Sequence, residues 1–220
     1  MKKLAIGVML VGFQLAFAQI SRKVGEFSSL KVYDKITVTL IPSNENRVES
    51  NVEDTSLETV NKNGELKIKM APAQILQGDR VSVKVYYQNI NDIQASQGSK
   101  VDSDKTLKAR MLTLTSNEGS KINLDIETGK LNVKTNSGGE ITVKGDADSQ
   151  DIIVNSGGKF YGQNLDSQSA TVTANAGGIA EVFASGSVDA KTRAGGIIDV
   201  YGDPDDRKFK NVIGGKINFK

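Results

Sequence analysis

The sequence contains no cysteine, no histidine and no tryptophan. Without cysteine, the chain has no disulfide bond, no thiolate nucleophile and no zinc–thiolate site. Without histidine, it has no Ser-His-Asp triad and no imidazole base or metal ligand. Aromatic residues make up only 5% of the chain, so a globular core would lack large side chains. These absences exclude a large share of enzyme chemistry.

The first residues have the features of a secretory signal peptide. Lys2 and Lys3 give a positively charged start, residues 4–13 an apolar core, and Ala16-Phe17-Ala18 a cleavage site. The apolar stretch is shorter than a transmembrane helix requires. We predict that residues 1–18 are removed and that the mature protein is exported to the periplasm, the cell surface or the extracellular space.

The predicted mature chain carries no excess of charge. Removing Lys2 and Lys3 from the 28 basic residues leaves 26, which equals the number of acidic residues. Binding to nucleic acid depends on a basic surface that displaces counterions from phosphates. We therefore expect no nucleic-acid partner. No second apolar stretch is long enough to span a membrane, so we expect no transmembrane segment after cleavage.

Glycine, by contrast, is abundant and recurs at nearly regular intervals. The interval between clusters is longest from Gly98 to Gly119 and shortest from Gly177 to Gly195. Three Gly-Gly clusters are preceded by an asparagine two positions before their first glycine. Both residue types favour tight turns. The predicted turn residues are Gly119, Gly138, Gly139, Gly157, Gly158, Gly177, Gly178, Gly195, Gly196, Gly214, Gly215, Asn136, Asn155 and Asn175.

Apolar residues keep a constant distance from these glycines. Three positions after the first glycine stand Val101, Ile122, Ile141, Phe160, Ala180, Ile198 and Ile217. Further apolar residues follow at alternate positions, which is strand periodicity. A unit of about 19 residues is too short for helical repeats or propeller blades. We predict an all-β, parallel β-helix-like solenoid whose glycine bends stack, with an asparagine ladder beside them.

Residues 19–97 are less regular but keep the strand pattern. We interpret them either as irregular early coils or as a capping sheet, and residues 98–220 as regular coils of one domain, 19–220. Asn63-Gly64 predicts a hairpin or a corner. Residues 55–61 give a weak signal for a helical turn, and residues 71–79 are typical of a loop.

The motifs also resemble a known family. Phe27-Ser-Ser-Leu-Lys-Val32, Asn63-Gly-Glu-Leu-Lys-Ile68 and the repeated Ser-Gly-Gly-x-Ile-x-Val-x-Gly of residues 137–145 are similar to the putative auto-transporter adhesin, head GIN domain family of Bacteroidetes-type secreted proteins. The resemblance covers about residues 27–202. It implies a right-handed parallel β-helix-like fold and export, and it brings no catalytic residues.

Two acidic clusters suggest a cation site. Clustered carboxylates are ligands that calcium prefers, although neither cluster has the spacing of an EF-hand loop. Aspartate also favours turns by bonding its own backbone, so both interpretations remain open. We expect the two clusters to occupy equivalent turns on one edge. They consist of Asp146, Asp148 and Asp151, and of Asp203, Asp205 and Asp206.

Outward aromatic residues suggest a ligand surface. By strand alternation Tyr161, Phe183 and Tyr201 point away from the interior, near Glu181 and Asp199. Aromatic rings flanked by polar groups could bind sugar faces, or could simply pair across strands and stabilise the sheet. We predict an exported, non-enzymatic, adhesin-like module that recognises a glycan or an envelope partner.

Two other functions remain as alternatives. The first is a structural envelope protein that assembles through its exposed coil ends. The second is a polysaccharide-acting β-helix enzyme. Its candidate residues are Asp151, Lys134, Asp189, Lys191 and Arg193, although no spacing among them indicates a matched acid and base.

Overall fold

The computed structural model describes residues 20–53 and 55–220. The predicted signal peptide, residues 1–18, lies outside the described residues. No helix in the described ranges is long and apolar enough to cross a membrane.

The described residues form eighteen strands in one connected hydrogen-bonded ladder, together with a short 3-10 helix at Pro72–Arg80. The strands are β1 Ile20–Lys23, β2 Ser29–Val32, β3 Thr37–Pro42, β4 Arg47–Ser50, β5 Leu57–Lys62, β6 Glu65–Met70, β7 Ser82–Tyr87, β8 Asp92–Ala95, β9 Lys100–Ser103, β10 Leu107–Asn117, β11 Lys121–Asn136, β12 Glu140–Val154, β13 Lys159–Asn175, β14 Ile179–Phe183, β15 Ser187–Arg193, β16 Ile197–Tyr201, β17 Asp206–Val212 and β18 Lys216–Phe219.

From β8 onward the strands stack as a parallel solenoid. Ile122 of β11 pairs with Ile141 of β12, which pairs with Phe160 of β13. Each step along the rod therefore takes about 19 residues, and the described residues complete about seven turns. The predicted solenoid is confirmed.

The glycine bends lie directly above one another. The N–H of Gly138 donates to the carbonyl of Ser156 (3.2 Å), and that of Gly157 to the carbonyl of Ala176 (3.1 Å). The first glycine of each pair has a positive φ, +73° at Gly138. The second lacks a side chain for another reason: a Cβ at Gly139 would overlap the backbone of Ser116. Two different steric requirements therefore explain the Gly-Gly pair.

An asparagine ladder runs beside the bends. Asn136 donates to the side-chain oxygen of Asn117 (2.8 Å), Asn155 to that of Asn136 (3.0 Å), and Asn175 to that of Asn155 (2.9 Å). Asn117 was not among the predicted turn residues because Glu118-Gly119-Ser120 lacks the second glycine. The ladder pairs side-chain amides that would otherwise be partly buried without partners.

The interior is a column of aliphatic side chains. Along β11 the buried residues alternate from Ile122 to Thr128 and then shift phase at Gly129 and Lys130, where the strand turns a corner. We call the ladder of segments equivalent to residues 121–125 the first sheet, and that equivalent to residues 130–136 the second sheet. Phe160 and Ile141 are fully buried. Burial of these columns is the main stabilising contribution.

The N-terminal half contains both early coils and a cap. In space β2 lies between β6 and β8, and β3 between β7 and β9, so the second coil along the chain stacks outside the first. Antiparallel strands then cover the outer edge: β5 pairs with β6, while β4 and β1 extend from β7. Parallel stacking therefore stops at this end.

Two local expectations for this half were wrong. The helical turn expected over residues 55–61 is instead strand β5, because the Asn63-Gly64 hairpin pairs it with β6. The loop expected over residues 71–79 contains the 3-10 helix. In both places a tertiary contact overrides a weak local signal.

Candidate functional site

Two coils that are longer than their neighbours shape the surface of the first sheet. In the first of them, Asp102 pairs with Asn123, and Leu107 with Ile126, so four residues of one coil face two of the next. Residues 103–106 form the corner between β9 and β10, where Asp104 and Lys105 are exposed. For this reason the interval from Gly98 to Gly119 exceeds the one that follows it.

A second irregularity lies three coils further along the rod. Thr142 pairs with Tyr161 and Lys144 with Asn164, so that Val143 faces both Gly162 and Gln163. Gly162 would otherwise direct a side chain inward, and its missing Cβ leaves room for the buried ring of Phe160. The bulge pushes Gln163 and Asn164 outward beside Tyr161.

Between these two irregular coils lies a groove of about 870 Å³. Its floor is formed by the two regular coils that begin at Gly119 and Gly138, and its walls by the 103–106 turn and the β13 bulge. We call it the tyrosine groove. Its lining residues are Asp102, Ser103, Asp104, Lys105, Thr106, Lys108, Asn123, Leu124, Asp125, Thr142, Val143, Lys144, Tyr161, Gln163 and Asn164.

The tyrosine groove combines apolar surface with a balanced set of charged side chains. Three carboxylates and three lysines line it, and the Lys144 ammonium lies 3.4 Å from the Asp125 carboxylate. Asn123 donates to Asp102 (2.9 Å). Leu124 and Val143 are only 4% and 1% exposed, and the ring of Tyr161 is half-buried.

The three predicted aromatic residues share one face but not one site. Tyr161 lies in the tyrosine groove. Phe183 and Tyr201 are direct neighbours across β14 and β16. The Phe183 ring, however, lies against Gly202 and faces a different groove. Among the described residues, the one close ring–ring contact joins Phe209 and Phe219, so Phe183 and Tyr201 do not stack.

Glu181 and Asp199 continue the column of Tyr161 beyond the groove. Tyr161 pairs with Glu181, which pairs with Asp199. Burial, together with the neighbouring Asp199 carboxylate, raises the pKa of Glu181 above its usual value. Asp199 accepts from Asn218 (2.7 Å) and lies 3.5 Å from the Lys220 ammonium. These two carboxylates lie outside the tyrosine groove.

The first acidic cluster lies at a second groove, on the corner between the sheets. Asp146 and Asp148 line this groove, together with Glu127, Asp166 and Phe183, whereas Asp151 points outward from the second sheet. Glu127, Asp146 and Asp166 are stacked in register. In the part of the chain that the structure describes, no three acidic groups converge well enough to hold a metal ion.

The second acidic cluster occupies the equivalent turn further along the rod. The strand register places Gln168 and Gly186 between Asp148 and Asp205, so the clusters are three coil steps, or about 14 Å, apart. Asp203 binds the guanidinium of Arg207, and Asp206 lies 3.9 Å from the Lys208 ammonium. Calcium binding stays a prediction for both clusters.

The residues considered for catalysis lie on the second sheet. Asp151 and Asp189 are separated by Thr171 in the strand register, and Lys134 and Lys191 by Ile153 and Thr173. Neither these four residues nor Arg193 line the two grooves. The arrangement is that of alternating charges on a solvated strand face.

Sequence reasoning missed most of the tyrosine groove. Strand alternation placed Tyr161 on the outer face, but it gave no sign of the wall formed by residues 103–106. The signal that could have revealed it is the spacing of the bends, which is longer after Gly98 and after Gly157 than between them. In a solenoid, extra residues in a coil must protrude from the rod.

The sequence of this chain matches the profile of one known family. The sequence profile described as "Putative auto-transporter adhesin, head GIN domain" matches residues 26–204. The chain belongs to this family. No curated protein is significantly similar to the adhesin-family chain.

Solved structures share the fold of this adhesin-family chain. A putative adhesin from Bacteroides fragilis aligns with a TM-score of 0.84 at 18% identity, and one from Parabacteroides distasonis with 0.75 at 19%. A protein from Parabacteroides distasonis described as a putative lipid binding protein aligns with 0.69 at 17% identity. Each alignment covers 92% of this chain and 96% of the other. At these identities the similarity shows the fold alone.

Proposed function

We propose that this chain is an exported, non-enzymatic adhesin-type module that binds a neutral oligosaccharide in the tyrosine groove. The observation that carries the proposal is the groove itself, in which a half-buried tyrosine ring is surrounded by amide, carboxylate and ammonium groups. A sugar presents an apolar ring face and a rim of hydroxyl groups. Tyr161 offers a surface for the first, and Asn123, Gln163 and Asn164 donors and acceptors for the second.

The charge balance supports a neutral ligand. Three carboxylates and three lysines line the groove, and Asp125 lies close to Lys144, so the groove carries no excess charge of one sign to attract an ionic ligand. A groove of this volume is within the range of small-molecule sites.

The groups in the tyrosine groove suit non-covalent binding, as in an adhesin, better than catalysis. Glycoside hydrolysis requires two carboxyl groups on either side of the scissile bond, one of them protonated. In the tyrosine groove, the Asp125 carboxylate instead lies 3.4 Å from the Lys144 ammonium. An adhesin needs only shallow contacts, repeated over many copies on a surface, to obtain useful avidity.

The test is an array of neutral, acidic and N-acetylated oligosaccharides, followed by calorimetry with the tightest binder. We expect Tyr161→Ala to weaken binding at least tenfold, equivalent to about 1.4 kcal/mol. Tyr161→Phe should retain most of the affinity, because the ring remains. Binding only to acidic sugars, or unchanged affinity in Tyr161→Ala, contradicts the proposal.

Tyr201→Ala provides a matched comparison on the same face. If the ligand lies within the tyrosine groove, this variant keeps full affinity. A loss equal to that of Tyr161→Ala would instead support a longer site that runs past Glu181 and Asp199 to Phe183 and Tyr201. Calorimetry before and after chelator treatment would test in the same samples whether Asp146, Asp148, Asp151, Asp203, Asp205 and Asp206 bind calcium.

A further inference from the structure

The two ends of the rod are finished differently. At the N-terminal end antiparallel strands cover the last parallel coil, and Leu66 and Val83 there are at most 1% exposed. At the other end, within the described residues, no strand pairs with the outer edge of β17 or β18. Phe209 is 61% exposed although it continues a buried column, Val172 to Ala190.

The interior of this last coil is closed by side chains. The Phe209 ring meets the edge of Phe219 at 5.8 Å between centroids, and the Arg207 guanidinium lies 4.8 Å above the Phe219 ring. Arg207 also donates through Nε to the carbonyl of Pro204 (2.9 Å). The end of the rod is therefore an ordered platform of two phenylalanines and an arginine.

The outer edge of β17 has backbone N–H and C=O groups that no strand among the described residues pairs with. The Asp206 N–H donates to Gly186 and the Val212 carbonyl accepts from Ala194, so alternate residues of β17 face β15. Arg207, Phe209 and Asn211 consequently direct their N–H and C=O groups to the uncovered side. An added strand could accept and donate along this edge.

We propose that the occupant of this edge is β17 of a second copy of the chain, paired antiparallel about a two-fold axis. The charges select the register. In a register that places Phe209 opposite Phe209 of the second copy, Lys208 of each chain would lie opposite Lys210 of the other. When the register is shifted by one step, Arg207 lies opposite Phe209 of the second copy and Asp206 lies opposite Lys210. The two-fold axis repeats both pairs.

This register also completes the interior. Interior side chains of the second copy cover Phe209. Arg207, which already contacts the Phe219 ring of its own chain, also lies beside Phe209 of the second copy, and this favours a cation–π contact. Lys208 meets its own symmetry mate on the axis, but each lies beside Asp206 of its own chain, at 3.9 Å. The interface is one coil wide, so we expect a weak dimer.

Sedimentation velocity of the full chain over a concentration series tests the dimer. We expect a monomer–dimer equilibrium with Kd between about 1 and 100 µM. Lys210→Asp, which opposes aspartate to aspartate, should raise Kd at least tenfold, and the double variant Asp206→Lys/Lys210→Asp should restore it. A monomer at all concentrations, or no rescue by the double variant, overturns the proposal.

Cross-linking tests the register, because the chain contains no cysteine. In the proposed pairing the two copies of residue 208 lie about 4.5 Å apart between Cα atoms, within reach of a disulfide. Under mild oxidation Lys208→Cys should form a covalent dimer much faster than Phe209→Cys or the control Asp189→Cys. Equal rates for the three variants, or faster cross-linking of Phe209→Cys, contradict this register.

Discussion

The regular and the irregular coils of this solenoid contribute differently. The coils that begin at Gly119 and Gly138 are equal in length, pair in register over almost their whole course and form a flat floor. The coils that begin at Gly98 and Gly157 are longer, and their additional residues form the walls of the tyrosine groove. The regular coils therefore stabilise the rod, and the longer coils shape the groove.

The same division explains why the groove can vary without loss of the fold. Lys105, Thr106 and Gln163 stand outside the buried columns, so they add no interior packing. Their neighbours Leu107 and Phe160 are fully buried and keep the coils aligned on either side. Loops on a rigid scaffold are where binding residues concentrate in many folds.

The largest effect is expected in the regular floor. Ile141 is fully buried between Ile122 and Phe160, and Ile141→Ala should lower the free energy of unfolding by about 2–5 kcal/mol. Urea denaturation of the variant measures this loss. Oligosaccharide affinity, measured where the variant is folded, should stay unchanged. A variant with normal stability would contradict the assignment of stability to the regular columns.

A second effect concerns the bends. Gly139→Ala places a methyl group against the Ser116 backbone and should cost about 1–3 kcal/mol, since the coils must separate locally. Gly138→Ala serves as the matched control. Its Cβ meets nothing within 4 Å, so it carries only the penalty of a positive φ, about 1 kcal/mol. Thermal melts of both variants should rank them in this order, and the reverse order would contradict the stacking role of the second glycine.

A third effect separates shape from stability. Deletion of Lys105 and Thr106 shortens the coil from Gly98 to the length of the coil that follows it and should remove one wall of the groove. We expect binding of the array-selected oligosaccharide to weaken at least fivefold, about 1 kcal/mol. The melting temperature should stay the same or rise, because the deleted residues pack against no column. Unchanged affinity would show that the wall is not part of the site.

The smallest effect is electrostatic. The raised pKa of Glu181 means that the folded chain binds this proton more tightly than the unfolded chain, so its stabilising contribution is greatest at low pH and is lost as pH rises above the ordinary glutamate value. Glu181→Gln should therefore be more stable than the parent near neutral pH by less than about 1 kcal/mol. Melting temperatures of both proteins from about pH 4 to about pH 8 measure the difference. A variant that is less stable at neutral pH would contradict the repulsion between Glu181 and Asp199.

Much of the fold could be predicted from the sequence because the solenoid repeats in one dimension. The interval between bends gives the coil length, and the position of Ile141 or Phe160 after each glycine gives the interior. The order β6–β2–β8 could not be predicted, since it depends on pairing between segments that carry no common repeat. Strand β5 was missed for the same reason, because its partner β6 determines its conformation.

The candidate site was less accessible to sequence reasoning. Alternation correctly placed Tyr161, Phe183 and Tyr201 on the outside, yet it could not show that Phe183 turns toward Gly202 and a different groove. Phe183 lies at the corner of the short coil from Gly177 to Gly195, where fewer residues connect the two sheets than in the preceding coil. The 103–106 wall depends on how inserted residues fold outward, which a count of residues alone does not specify.

Hydrogen exchange measured with and without the tightest-binding neutral oligosaccharide tests most directly where recognition occurs. We predict slower exchange in residues 102–108, 123–125, 142–144 and 161–164, four segments that are distant in sequence and adjacent only in the folded rod. Exchange in residues 187–193 of the second sheet should not change. Protection of the second sheet, with none around Tyr161, would contradict the tyrosine groove as the binding site.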